Sequence, residues 1–263
     1  MKLLTDTDRE RLRHLRRLGV ELCHFFDVGA SNGRWSSRVS QDFPNASFEL
    51  FEPLIDHAPE YRFKMEATLA RHPRFRLHKV ALGPKCKSTR MTFYLGNVVG
   101  STALELGHVP EGSRTVPVEM LTLDYVVQEF RLPVPQVIKM DTQGCELGIL
   151  QGAVQTLPQV QLLLLECWLT RAYGPTTPLL LEVTDWLRNF DFHLWDVGNT
   201  WREADGTLVT QDCYFLNARC PVSRLRDEPS RLAPKPAPVP APPRQPKQEV
   251  WFKRMRHFVC GGY

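Results

Sequence analysis

The chain has 263 residues, 43% of them hydrophobic and 24% charged, which is the composition of an ordinary globular protein with room for one large α/β domain. Its net charge of +4 comes from 33 Lys+Arg against 29 Asp+Glu and is unevenly spread. From Pro221 to Tyr263 nine basic residues face three acidic ones, so this tail carries +6 while the body, residues 1–220, carries −2. An argument for nucleic acid or an anionic surface therefore concerns the tail alone, and no specific nucleic acid is expected. The longest apolar run, VQLLLL from Val160 to Leu165, is strand-length and far short of the ~20 residues of a membrane span. The start, MKLLTDTDRERLRHL, lacks the apolar core of a secretory signal. Seven scattered cysteines without a CxxC pair read as reduced thiols, so neither a disulfide framework nor a zinc cluster is expected and the location reads as cytoplasmic.

Leu12, Leu15 and Leu18 fall on one face of a helix over Arg9 to Leu18, and residues 1–21 form an N-terminal helical segment. LCHFFD, Leu22 to Asp27, then reads as a buried strand that ends in a glycine turn, with a helix near Arg34 to Gln41. A strand over Ser47 to Phe51, a helix over Ala58 to Arg71 and a strand over Phe75 to Leu82 continue the alternation. The next crossover is longer. It holds short strands at Met91 to Tyr94 and Thr115 to Met120, a Gly/Ser loop from Gly96 to Gly112, and a helix over Leu123 to Phe130. Strands at Gln136 to Met140 and Val160 to Glu166 follow, separated by a helix from about Cys145. After a helix near Leu179 to Asn189, FHLWDV (Phe192 to Val197) and DCYFLN (Asp212 to Asn217) flank Asp205-Gly206 without an intervening helix and should pair antiparallel. Such alternation predicts a mostly parallel sheet with helices on both faces. The domain runs over 22–220. Beyond it, APKPAPVPAPP predicts an extended proline-rich linker over 221–250, and residues 251–263 interleave aromatic with basic side chains that suit an anionic surface or a partner.

The strongest local signal is DVGASNG, Asp27 to Gly33, where the first strand turns into a helix. Gly29 and Gly33 suit a backbone that needs positive φ or close ligand approach, and Ala30, Ser31 and Asn32 lie between them. Glu52, 19 residues beyond Gly33 at the tip of the next strand, is placed for ribose hydroxyls. The glycine spacing departs from the G-x-G-x-x-G of dinucleotide sites, and Asp27 offers a carboxylate to a cation. S-adenosyl-L-methionine, with a ribose, an ammonium, a sulfonium and no phosphate, matches this set better than a nicotinamide dinucleotide. A second constellation, VIKMDTQGCELGILQGA, places Asp141 at the carboxyl end of a strand and Glu146 at the start of the helix after it. Glu146 is equally suited to capping that helix.

DVGASNG, FEP, VPVEMLTLDYVV and above all IKMDTQGCELGILQGA followed by LLLLEC resemble the FkbM family of S-adenosylmethionine-dependent methyltransferases over about Phe26 to Asn217. The resemblance implies an α/β fold, a Rossmann-like methyltransferase three-layer sandwich with a mostly parallel seven-stranded sheet, central order 3-2-1-4-5 and an antiparallel end hairpin. It implies that Asp27, Gly29 and Gly33 hold the methionine end of the cofactor and Glu52 its ribose. It implies O-methylation of a hydroxyl on a sugar, glycan or polyketide-like small molecule. Ser31-Asn32 departs from the family's usual Asn followed by an aliphatic residue.

In-line methyl transfer needs alignment of acceptor and donor and removal of a hydroxyl proton. Candidates for the proton acceptor are Asp141, Glu146 and His108, the last on the long crossover loop. Two carboxylates without a third ligand do not form a cage, and no metal is expected. A nicotinamide-dependent oxidoreductase on a similar sheet and a non-catalytic adaptor that keeps the fold are the alternative readings.

Overall fold

The computed structural model describes residues 7–94, 97–104 and 111–226. The chain runs α1 (Thr7–Arg17), β1 (His24–Val28), α2 (Arg34–Val39), β2 (Ser47–Phe51), α3 (Pro59–Arg71), β3 (Phe75–His78) and β4 (Ala81–Leu82). It continues through β5 (Lys87–Tyr94), β6 (Asn97–Thr102), β7 (Ser113–Leu121), α4 (Leu123–Glu129), β8 (Val137–Met140) and α5 (Glu146–Gln151). It closes with β9 (Leu162–Trp168), α6 (Leu180–Leu187), β10 (Phe192–Arg202) and β11 (Leu208–Asn217). The proline-rich linker and the aromatic and basic tail lie outside the described residues, apart from a 3-10 turn at Pro221–Arg226.

Seven strands form the main sheet in the order β10-β11-β9-β8-β1-β2-β3. The pairs β1–β2, β1–β8, β2–β3 and β8–β9 are parallel. β11 runs antiparallel to both neighbours, because the second arm of the end hairpin inserts between β9 and β10. Counting the five central strands by their order along the chain, the arrangement is 3-2-1-4-5 with an antiparallel hairpin at one edge, the Rossmann-like methyltransferase sheet.

The strands are apolar on both faces, as a sheet covered on both sides requires. Phe25, Phe48 and Leu50 pack with Leu12 and Leu15 of α1, Trp35 and Val39 of α2 and Met65 of α3. On the opposite face Phe26, Val28, Phe51, Ile138 and Met140 meet α4, α5 and α6 through Leu123, Ile149 and Val183. The N-terminal helix thus belongs to the same core as the sheet. It is tied down further by Arg9 to Asp42 at 2.6 Å, Arg11 to Asp196 at 2.8 Å, and Trp35 Nε1 donating to Asp8 at 2.9 Å.

Two expectations need correction. The strand expected over Phe75 to Leu82 is two strands, because after His78 the chain leaves the main sheet and β4 joins a second sheet of order β4-β7-β5-β6. The Gly/Ser loop contains β6, which pairs antiparallel with β5. Alternation of Met91, Phe93, Val118 and Met120 toward a small core with Leu54 and Ala81 holds this second sheet against the tips of the first. α4 restarts the main fold with Thr122, whose Oγ1 accepts from the Tyr125 N–H at 3.1 Å as an N-cap. No helix among the described residues is long and apolar enough to cross a membrane.

Candidate functional site

The carboxyl ends of β1, β2 and β8 and the inner edge of the second sheet border an open cleft. In open α/β sheets this edge, where neighbouring crossovers diverge, is where ligands bind. Val28, Phe51, Leu54, Val80, Leu82 and Ile149 give it an apolar floor. Its polar groups include Ser31, Glu52, Ser101, Asp141, Thr142 and Gln143, and no Lys, Arg or His is among the described lining residues.

The glycine turn is fixed from three sides. The N–H groups of Gly29 and Ala30 both donate to Phe51 O at 3.1 Å, and Gly33 N–H donates to Ala30 O at 2.8 Å. Gly29 and Gly33 have φ of +73° and +74°, the left-handed region that glycine adopts at little cost. Space is the second constraint at Gly29, where a Cβ would stand 2.1 Å from the Asp141 carbonyl oxygen. Ser31 also has positive φ, +53°, and its N–H donates to Glu52 Oε2 at 2.8 Å. Asn32 Oδ1 accepts from the Arg34 N–H at 3.1 Å.

Glu52 stands at the mouth of the cleft with its other oxygen accepting from the Leu54 N–H at 3.0 Å. Burial pushes its carboxyl above the ordinary glutamate value, and the N–H groups of Leu54 and Ser31 oppose that shift. Asp141 lies across the cleft, its N–H donating to Val28 O at 3.1 Å and its Oδ1 accepting from Gln143 Nε2 at 2.8 Å.

Asp27 is placed differently from the cation-facing position read from the sequence. Its side chain is fully buried beneath the turn on the α1 and α2 side, outside the cleft lining. Lys139 Nζ lies 3.1 Å from its Oδ1, and Ser36 Oγ donates to its Oδ2 at 2.7 Å. Lys139 also donates to Gly29 O at 2.9 Å. Burial acts against the lysine ammonium, but the Asp27 and Asp141 carboxylates outweigh it and its pKa lies above the ordinary lysine value.

Glu146 is 2% exposed and also lies behind the cleft wall. Its Oε1 accepts from Thr142 N–H at 2.9 Å and Thr142 Oγ1 at 3.0 Å. Burial raises its carboxyl to about 7. Burial likewise raises the Cys145 thiol, on the cleft wall, to about 11. His108 lies outside the described residues. Among the described residues no group of three or more His, Cys, Asp or Glu could hold a metal ion.

The structure thus brings Gly29, Ser31, Glu52 and Asp141 to one cleft and sets Asp27 and Glu146 behind its walls. Val80 and Leu82, which the sequence reads as part of a strand over Phe75 to Leu82, are wall residues because that strand ends at His78. Sequence reasoning passed over Thr142 and Gln143, which stand directly after Asp141 in the motif.

A family model described as the methyltransferase FkbM domain matches residues 27–194. A search of curated proteins finds no match. Among solved structures, the methyltransferase FkbM of Methylobacillus flagellatus KT is 18% identical with a TM-score of 0.47, and the alignment covers 76% of this chain and 46% of that one. The chain therefore spans under half the length of that protein. The precorrin-6y C5,15-methyltransferase of Geobacter metallireducens is 14% identical over 82% of this chain and 92% of that chain, with a TM-score of 0.44. The TrmK of M. capricolum, solved with S-adenosyl-homocysteine, is 8% identical over 79% and 67%, with a TM-score of 0.43. These structural likenesses are too distant to carry argument, but the family match spans well over half of the chain and includes both the glycine turn and the Asp141 segment: the chain belongs to the FkbM methyltransferase family.

Proposed function

We propose that the chain is an S-adenosylmethionine-dependent O-methyltransferase whose acceptor is a hydroxyl of a small molecule or glycan. The observation that supports this most is the lining of one cleft by two opposed carboxylates, Glu52 and Asp141, over an apolar floor, with no basic side chain among the described lining residues. That donor set suits a neutral or cationic nucleoside ligand and disfavours a phosphorylated one. Glu52, oriented by two backbone N–H groups, would hold the ribose hydroxyls. Phe51, Leu54, Val80 and Leu82 would pack on the adenine. The Gly29 turn would take the methionine end, where the absence of a Cβ lets a ligand approach the backbone. Asp27 would act there indirectly, fixing Lys139, which in turn holds the Gly29 carbonyl.

The cofactor supplies an electrophilic methyl group on its sulfonium. Asp141, at the strand tip facing Glu52, would orient the acceptor hydroxyl and accept its proton; the apolar floor would exclude water from the transfer path. Ser101 and Met91, on the second sheet, would form the acceptor-side wall.

Calorimetric titration with S-adenosyl-homocysteine tests the reading. The unaltered chain should bind it, and Glu52→Ala should weaken binding by at least about tenfold, the loss expected when a charge-assisted hydrogen bond is removed. No binding by the unaltered chain, or equal binding by the variant, overturns the assignment. Transfer of labelled methyl to a metabolite pool, followed by mass spectrometry, would identify the acceptor atom.

A further inference from the structure

Gln143 combines a rare backbone conformation with a fully used side chain. Its φ is +56°, a region that residues other than glycine seldom occupy and that is retained where the surroundings over-determine it. Its carbonyl oxygen accepts from Thr102 Oγ1 of β6 at 2.8 Å. Its amide nitrogen donates to Asp141 Oδ1 and to Glu166 Oε2, each at 2.8 Å. Its Oε1 accepts from the Tyr173 hydroxyl at 2.7 Å. The amide orientation follows from the partners: ionised carboxylates only accept, so the nitrogen must face them.

One side chain therefore joins the tip of β8, the tip of β9 and the segment after β9, while its backbone joins the second sheet. Tyr173 packs edge-on against Trp168 at 5.1 Å between ring centroids, and its hydroxyl lies 2.7 Å from Gln143 Oε1 and 3.3 Å from Gly100 O. Asp141 and Glu166 each touch the same nitrogen, so their carboxylates lie within two hydrogen-bond lengths of each other. Glu166 is 7% exposed, and two carboxylates that close in a poorly hydrated site do not both stay ionised without a donor between them. The groups around the pair include Lys139 on β8, which is paired with Asp27 and Gly29 O and is also attracted to the Asp141 carboxylate, and Thr210 on β11, whose Oγ1 donates to Glu166 Oε1 at 3.3 Å; Glu146 on α5 accepts from Thr142, and Asp212 on β11 stands opposite Glu166 in the strand register.

We propose that Gln143 is a positioning residue whose amide nitrogen keeps Asp141 and Glu166 as a separated pair of carboxylates, thereby setting the charge that Asp141 presents to the acceptor. The inference rests on the role given to Asp141 above. It is tested on the ligand-free protein, so that its failure is distinct from failure of the methyltransferase reading.

The experiment is a 13C-NMR titration of labelled Asp and Glu carboxyls, with the Asp141 signal assigned by its loss in Asp141→Asn. In Gln143→Leu the pair loses its shared donor, and one of its two titration steps should rise by at least about one pH unit. Gln143→Glu keeps the size and still accepts from Tyr173, but adds a third carboxylate, and should raise the step further. Tyr173→Phe leaves both amide donations in place and should leave the titration unchanged. An unaltered titration in folded Gln143→Leu overturns the proposal, and if that variant does not fold, an unaltered titration in Gln143→Glu does so. A shift in Tyr173→Phe as large as in Gln143→Leu also overturns it, since the controlling group would then be the tyrosine. Should the unaltered chain fail to bind S-adenosyl-homocysteine while these shifts appear, the functional reading falls and the positioning role stands.

Discussion

Gly29→Ala should be the most damaging small substitution in the cleft, and the structure allows its cost to be divided. Three of the glycines with positive φ differ in their surroundings in a way that separates the contributions. At Gly19 (φ +84°), just beyond α1, an added Cβ meets nothing within 4 Å, so Gly19→Ala measures the backbone penalty alone, about 1–2 kcal/mol. At Gly33 (φ +74°) the Cβ would lie 3.1 Å from Met65 Sδ and 3.2 Å from Thr68 Cγ2, side-chain ends that can yield, so Gly33→Ala should cost slightly more. At Gly29 (φ +73°) the obstacle is backbone: Asp141 O at 2.1 Å and Asp141 C at 3.0 Å. Relief requires the tips of β1 and β8 to part, which strains the Asp141 N–H to Val28 O bond and the Lys139 to Gly29 O bond. With each such bond contributing about 1 kcal/mol net, the total for Gly29→Ala is about 3–4 kcal/mol. Urea unfolding followed by circular dichroism gives the order of the three variants, and titration with S-adenosyl-homocysteine gives the accompanying loss of binding. Gly29→Ala as stable as Gly19→Ala, with undiminished binding, would refute both the clash and the placement of the ligand against this turn.

Two further outcomes follow from buried charge. Lys139→Met leaves Asp27 buried opposite a methyl group and should lower the unfolding free energy by about 3–5 kcal/mol, whereas Lys139→Met combined with Asp27→Asn should recover much of it; an additive double variant would show that the two groups do not form a pair. Glu146 has a folded-state pKa near 7 against an ordinary 4.5, so the folded protein binds more protons than the unfolded chain between those values. Its contribution is fully present below about pH 4.5 and is lost as pH rises through 7, a change of about 3 kcal/mol at most. Glu146→Gln should flatten that part of the stability–pH curve, and an unchanged slope measured by urea midpoints would rule out Glu146 as its source.

What was legible in the sequence is what neighbouring residues decide. The strand over Ser47 to Phe51 is legible from its own residues, and because a strand tip has a fixed direction the position of Glu52 beside the glycine turn is legible with it. The split between β3 and β4 was hidden because FRLHKVAL is a plausible single strand until a partner sheet claims its second half. Asp27 shows the same limit at the site itself. Its motif states that a carboxylate sits at a glycine turn but not which way it faces, and the deciding fact is the pairing of Asp27 with Lys139 in the β1–β8 register, a contact across 112 positions of chain. That register turns the aspartate and the lysine to one face of the sheet, beneath α1 and α2, where an isolated carboxylate would be costly and a paired one is stable. The pair therefore contributes to the cleft through the backbone it fixes, by way of the Gly29 carbonyl. Gln143 follows the same rule, since its partners arrive from β6, β9 and the segment after β9, and a glutamine in a Thr-Gln-Gly turn carries no local sign of them. Cleft residues whose neighbours are close in sequence could be read from the motif, and those that hold these neighbours in place needed the fold.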